Sequence, residues 1–241
     1  MDLNISLAPN ILFHIGSLPI TNTLFWSFFV SLFLITVVLT VKRSLKLVPG
    51  MMQNIIEIIL EGSYGFIKTL TGSDKKTKLI FPLIMTMFLF IAIANLAAFI
   101  PGQSAITVNE NTPLFRAVMS DYGMVFVLTI ISVIIIQAVT ITTNGFFGYI
   151  KKFFNFTSPL KFFLGLMDII GEIAKILSLS FRLFGNIFAG EALTMVILFL
   201  LPYIAPLPFM FLGILTAVIQ AFVFSALTLV FITMATESRV T

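Results

Sequence analysis

The chain has 241 residues, of which 59% are hydrophobic and only 10% charged, with a formal net charge of +4. Soluble domains carry about 25% charged residues, so this composition excludes a water-soluble globular domain and indicates an integral membrane protein. There is no cysteine, which excludes a disulfide framework and thiolate metal ligation. The basic residues concentrate in predicted loops, where they indicate topology rather than a nucleic-acid partner.

Three apolar runs come first along the chain, at residues 24–41, 79–100 and 123–141. Each is long enough to cross about 30 Å of hydrocarbon as a helix. Residues 1–23 lack the early basic residues of a signal peptide. We expect them to form an N-terminal segment, which the loop charges described below place outside. Residues 50–72 place polar side chains on one stripe, which predicts an amphipathic interfacial helix. A short soluble connector is the alternative.

The last third of the chain contains a longer apolar stretch. Residues 162–201 include no proline and would make a helix of roughly 60 Å, about twice the hydrocarbon thickness. An ordinary tilt near 20° cannot absorb that excess. The stretch is therefore either two short spans or one long, steeply tilted helix. Pro202, Pro206 and Pro208 predict a tight turn, and residues 207–236 form the final run. The whole chain, 1–241, is predicted to be a single all-α polytopic membrane domain with about five membrane helices.

The loop charges predict the orientation. Between positions 42 and 78 there are seven basic residues, and three more follow the third run; on the opposite side Arg116 stands alone. Basic residues favour the cytoplasmic side, so the N-terminus is expected outside and the C-terminus inside. No internal duplication is visible, and an odd number of spans fits poorly with the paired repeats of many transporters.

Ionisable residues within the apolar runs are confined to the long segment. Asp168, Glu172 and Lys175 lie near its inner end, where side chains reach the interface by snorkelling. Arg182 and Glu191 have apolar neighbours on both sides. A charge near mid-membrane costs about 2.5–3.5 kcal/mol on insertion scales, so both residues are functional candidates.

Helical geometry places Arg182 on a face of small or polar residues suited to close approach by another helix. That face comprises Lys175, Ser178, Arg182, Gly185, Asn186 and Ala189. Glu191 lies on the opposite face, about 14 Å nearer the outside, and we hypothesise that it belongs to an outer access path. In the final run, Gln220 shares a face with Gly213 and could bind a partner helix or line a wet path.

Structural roles are the alternatives for these residues. Arg182 could belong to an ion pair, Glu191 could be a permanently protonated group, and Asn186 and Gln220 could join helices. Asp121, at the outer mouth of the third run, could be a solvated interfacial acid.

Covalent chemistry finds no support in the sequence. It lacks a Gly-rich phosphate cradle, metal-ligand spacing and a nucleophile-base pair. The polar residues therefore favour ion or proton passage, and we expect no cofactor and no metal. A stand-alone ion channel, a secondary transporter and a purely structural subunit are the competing classes.

The stretch SLSFRLFGNIFAGE, residues 178–191, closely resembles the signature of subunit a of F-type ATP synthases. The segments VPGMMQNIIEIILEG, FPLIMTMFLFIAIANLAAFIPG and IQAFVFSALTLVFITMA resemble the same family, so that the resemblance covers about residues 20–238. It implies a stator subunit whose two long tilted helices lie against a rotating ring of subunit c. It also implies two offset proton half-channels, and as further partners the subunit b stalk, other synthase subunits and membrane lipid.

The resemblance also implies roles for single residues. Arg182 matches the essential arginine, and the proton path would include Glu191, Asn186, Gln220, Asp121, Asp168, Lys175 and Ser178. Gly185, Ala189 and Gly213 would allow close packing to the ring. Two positions depart from the common pattern: Ile176 stands where many members have proline, and Gly213 where many have His or Glu. Because Glu191 with Gly213 is unlike the usual mitochondrial arrangement, a bacterial plasma membrane is expected, with a plastid membrane as the alternative. The coupling ion, H⁺ or Na⁺, stays open.

Overall fold

The structure, a computed structural model, describes residues 9–46, 48–100, 106–108, 112–145, 159–201 and 204–237. Helices dominate these residues: α1 (Asn22–Ser44), α2 (Met51–Thr71), α3 (Asp74–Ala97), α4 (Tyr122–Asn144), α5 (Pro159–Leu200) and α6 (Pro206–Glu237). Five of them, all except α2, are long and apolar enough to cross a membrane. The predicted all-α polytopic architecture is confirmed. Lys151, Lys152 and Pro202 lie outside the described residues.

The predicted runs begin and end at recognisable caps. The Thr21 side chain accepts the N–H of Leu24 at the start of α1, as expected of an N-cap hydroxyl. Helix α2 ends at Gly72, whose φ of 63° is left-handed and whose N–H binds the carbonyl of Lys68; glycine adopts this conformation without a Cβ penalty.

Helix α5 is one uninterrupted helix of 42 residues. Between the two sequence alternatives, this excludes a pair of short spans. In its middle the helix buries a narrow apolar stripe, Leu179, Leu183 and Ile187, with Ser180 beside it. The three apolar residues are spaced four positions apart, as expected for one helical face. In its most apolar 18-residue window α5 is 11% buried, whereas α3 is 44% buried. Helix α3 is therefore central, and most of the α5 surface is open.

Two apolar clusters hold the helices together. The larger one joins Ile91 of α3 to Leu183 of α5 and Ala221 of α6. The smaller one joins Ile67 of α2 to Ile84 of α3 and neighbouring residues of α4 and α6. An ion pair at 3.0 Å between Lys68 and Asp74 adds to the α2–α3 contact. The hydrogen bond and charge of Asp74 raise the pKa of Lys68.

Small hairpins occupy the segment before α1 and the segment between α3 and α4, and they were not predicted from the sequence. Strands β1 (Ile11–Ile15) and β2 (Leu18–Thr21) form an antiparallel pair, as do β3 (Thr107–Val108) and β4 (Thr112–Pro113). After β4, a 3-10 helix (Val118–Ser120) is completely buried and packs against α1, α3, α4 and α5. This wedge brings the polar side chain of Ser120 into the bundle between these four helices.

Candidate functional site

Arg182 lies on the open side of α5. Its side chain is exposed, and Nη2 donates to the Ser178 Oγ at 3.5 Å, one turn away. A Cβ added at Gly185 would meet no atom within 4 Å, and Ala189 is exposed. Within the described ranges no carboxylate pairs with Arg182. The charge therefore faces outward from the chain across a surface of small side chains.

Asn186 and Gln220 meet across the α5–α6 interface. The Asn186 Nδ2 donates to the Gln220 Oε1 at 2.7 Å. Gln220 is 3% exposed, and its Nε2 has no hydrogen-bond partner among the described residues. An unpaired buried N–H costs roughly 1–3 kcal/mol. The pair thus combines a firm interhelical bond with a donor that is still unused.

Asn95 is a third amide near this position, and sequence reasoning missed it. It is fully buried on α3, and its Nδ2 donates to the backbone carbonyl of Ala217 at 3.4 Å, one turn before Gln220. The signal was available, because Asn95 is the lone amide of an otherwise apolar run. Asn95 therefore joins α3 to α6 one turn from the residue that α6 contributes to the Asn186–Gln220 bond.

Glu191 contacts the buried 3-10 wedge. The Ser120 side chain lies beside the Glu191 carboxyl group, and Arg116 is close enough to act on that group electrostatically. Arg116 Nε donates to the Ser120 Oγ at 3.2 Å, and that hydroxyl donates to the Ala117 carbonyl at 2.9 Å. Arg116 and Ser120 are further residues that sequence reasoning missed, since only the tertiary fold brings this loop to α5.

Asp121 lies next to this cluster and is 8% exposed. One carboxylate oxygen accepts the N–H of Gly123 at 2.9 Å, and the other accepts the Thr23 hydroxyl of α1 at 2.7 Å. It is thus the N-cap of α4 and joins α4 to α1. These contacts are those of an anchoring residue rather than of a solvated interfacial acid.

The N-terminal half of α5 carries a second polar cluster. Lys175 Nζ lies 2.8 Å from Glu172 Oε1, and Gln137 of α4 donates to Glu172 Oε2 at 2.9 Å. The ammonium group also lies over the Phe231 ring of α6, 5.0 Å from its centre. Asp168 is half-buried one turn before Glu172. Sequence reasoning selected Asp168 and Lys175 but missed the pairing of Lys175 with Glu172 and of Glu172 with Gln137.

Gly213 was predicted to pack near the ring of subunit c. The structure places the aromatic ring of Phe99, from the segment just after α3, against this glycine. A Cβ at position 213 would overlap two ring atoms of Phe99. The missing side chain therefore makes room for a residue of the same chain.

Fold and site together define an all-α polytopic membrane protein whose mid-membrane arginine faces away from its own bundle, between two polar clusters. The family model described as "ATP synthase A chain" matches residues 24–233. A subunit a of ATP synthase from Moorella thermoacetica is 34% identical over 221 residues, which are 92% of this chain and 93% of that protein. Those from Campylobacter jejuni subsp. doylei and Geotalea daltonii are 37% and 38% identical, over 86% and 84% of this chain and 86% and 82% of theirs.

The chain belongs to the ATP synthase A chain family, that of subunit a in the membrane sector of F-type ATP synthases. It is accordingly a component of the membrane-embedded part of that complex, with a part in proton transport and ATP synthesis.

Proposed function

We propose that the chain is the stator of a rotary proton motor and presents two half-channels to a ring of subunit c. The observation that carries the proposal is Arg182, a permanent charge exposed at mid-helix with no carboxylate partner among the described residues. Arginine stays protonated in proteins, so it cannot relay a proton itself. A carboxylate on another subunit would ionise as it approaches Arg182.

The surface around Arg182 supports a partner that moves past it. The open positions at Gly185 and Ala189 permit the backbone of another helix to approach closely. The length of α5, roughly twice the hydrocarbon thickness, fits a steeply tilted helix lying along a curved ring. The subunit b stalk, the remaining synthase subunits and lipid would cover the other exposed apolar faces.

The outer half-channel is proposed to run past Glu191 to Asn186 and Gln220. Glu191 is the one ionisable residue of α5 beyond Arg182, and Gln220 keeps an unused donor. Asp121 would stand at the mouth of this path and hold its walls in place. The inner half-channel would leave along Ser178, Lys175 and Asp168.

The proposed location is a bacterial plasma membrane, with a plastid energy-coupling membrane as the alternative. The N-terminus would lie outside and the C-terminus inside, because the basic residues of the loops gather on one side. Each proton would contribute roughly 2.3 kcal/mol per 100 mV of membrane potential, plus the pH difference.

The test is Arg182→Ala in the assembled complex, measured as ATP-driven acidification of inverted membrane vesicles. We expect pumping to be lost while the subunit stays in the complex, since Arg182 makes no contact that holds helices together. Arg43→Ala is the matched control, because Arg43 is exposed at the end of α1 and should pump normally. Normal pumping by the Arg182 variant would refute the proposal, and failed assembly would indicate a structural role instead.

A further inference from the structure

Two cations lie on one stripe of α5, and they differ in exposure and in contacts. Lys175 and Arg182 are seven residues apart, which places them on the same helical face and about 10 Å apart along the axis. Arg182 is exposed and contacts only a hydroxyl, Ser178. Lys175 instead turns toward the bundle, where it meets Glu172 and the Phe231 ring.

The Glu172–Lys175 pair is held from three helices. Its N···O distance is 2.8 Å, Gln137 of α4 occupies the second carboxylate oxygen, and Phe231 of α6 lies beneath the ammonium group. The side chains are 19% and 31% exposed, compared with 48% and 56% for the surface pair of Asp74 and Lys68. Solvent and salt therefore screen the inner pair less than the surface pair.

We infer that Glu172 cancels the charge of Lys175, so that Arg182 is the single uncompensated cation that the ring's carboxylates meet on this stripe. The inference rests on the proposed function. It makes Glu172 a positioning residue of the motor, held in place by Gln137, and it needs no proton to pass through Glu172.

Glu172 has this effect because the electric field of a lone charge extends farther than the field of an ion pair. A lone ammonium acts on a carboxylate over the whole 10 Å separation, whereas two opposite charges 2.8 Å apart largely cancel at that distance. Without Glu172, Lys175 would stabilise ionised ring carboxylates on the inner side and repel incoming protons. Without Lys175, the Glu172 anion would do the reverse.

Other ionisable groups around the pair are few in the helices that pack against it. Helix α4 contains only Tyr122, at its outer end, and α6 contains only Glu237, at its inner end. The 3-10 helix contains none and is flanked by Arg116 and Asp121. On α5 itself the neighbours are Asp168 and Arg182. Removing one member of the pair should therefore leave the other as the dominant new charge.

The experiment measures ATP-driven pumping by inverted vesicles against the pH of the bath, which contacts the inner side. Glu172→Gln should move the half-maximal pH in the acid direction by about half to one unit, a three- to tenfold change in proton concentration. Lys175→Gln should move it in the alkaline direction. The double variant Glu172→Gln/Lys175→Gln should return the half-maximal pH to the wild-type value. Lys175→Arg keeps the positive charge, so it should keep the wild-type half-maximal pH whatever its maximal rate, since Lys175 also lies on the proposed inner half-channel.

Asp74→Asn is the matched control, because it removes an ion pair at the inner end of α3 and should leave the profile unchanged. Shifts of the half-maximal pH in the same direction for both single variants, or no recovery in the double variant, would overturn the inference. The Glu172–Lys175 pair would then only hold the helices together. If a single variant fails to assemble, the double variant and Lys175→Arg still decide. Arg182→Ala is measured in parallel. If this variant pumps normally, the proposed function fails. If it is inactive while the pH profiles of the Glu172 and Lys175 variants coincide with the wild-type profile, only this inference fails.

Discussion

The side-chain amide of Asn186 donates a hydrogen bond to the side-chain Oε1 of Gln220 at 2.7 Å and so links the two long C-terminal helices. The bond leaves the Gln220 Nε2 buried and without a partner in the described structure. A bond that served only to join helices would be expected to use both amides fully. Asn186 lies one turn after Arg182 on α5, and this position places the amide pair on the proposed proton path.

The first prediction concerns this amide pair. Gln220→Leu should reduce ATP-driven pumping by about tenfold or more. The free energy of unfolding of the subunit should change by less than about 1 kcal/mol, because a hydrogen bond of this kind in a membrane contributes about that much. Thr216→Val is the control, since the Thr216 hydroxyl binds the carbonyl of Leu212 on its own helix. Pumping and thermal stability in detergent are measured together, and a loss of stability without a loss of pumping would identify the pair as helix glue.

Glu191 carries the second prediction. Glu191→Gln keeps the size of the side chain but removes its titration, so pumping should fall by about tenfold or more between about pH 6 and 8. Glu61→Gln, which changes an exposed acid of α2, should have no effect. Unchanged pumping by Glu191→Gln at every pH would show that the carboxyl group does not titrate.

Two glycines make the third prediction. Gly213→Ala should destabilise the subunit by about 1–3 kcal/mol, because its Cβ would overlap the Phe99 ring and force repacking. The Cβ of Gly185→Ala would meet no atom within 4 Å, so the stability of the subunit should stay unchanged. Pumping should fall, because the added methyl group would obstruct the ring of subunit c. Melting in detergent and pumping in vesicles separate the two effects, and equal melting temperatures for both variants would contradict the Phe99 contact.

The fourth prediction tests the contacts of Asp121. Asp121→Ala should lower assembly of the complex and cost about 1–3 kcal/mol, because it removes the α4 cap and the buried bond to Thr23. Asp121→Asn keeps an oxygen for the cap and should assemble and pump nearly normally. A pumping defect in Asp121→Asn with full assembly would instead mean that the carboxyl group takes part in proton transfer.

Sequence reasoning succeeded where a single helix determines the outcome. The apolar runs predicted the five long helices, since backbone groups in hydrocarbon must pair within their own segment. The lack of proline between residues 162 and 201 allowed one long helix, and α5 is continuous. The face of Arg182 follows from the 100° period alone. Asn186 and Gln220 were each identified as amides that could join helices or line a proton path, but the sequence did not show that they bind one another.

Contacts between distant segments could not be predicted in the same way. The 3-10 helix that brings Ser120 to Glu191 lies in a loop whose path depends on four helices packing around it. The Phe99 ring against Gly213 and the link from Gln137 to Glu172 join residues that are 114 and 35 positions apart. No local periodicity specifies such pairs, because they depend on the relative rotation of packed helices.

The amino-acid sequence by itself determined that this protein lies in a membrane, how many helices can cross it, and that Arg182 is a charge within an apolar segment. It could do so because the cost of exposing polar groups to hydrocarbon acts on each segment separately. Only the tertiary structure decided that Lys175 is paired with Glu172 while Arg182 remains open. Both cations share one helical face, and the difference between them arises from Glu172, one turn before Lys175 on α5, together with the contacts that Gln137 of α4 and Phe231 of α6 make with this pair.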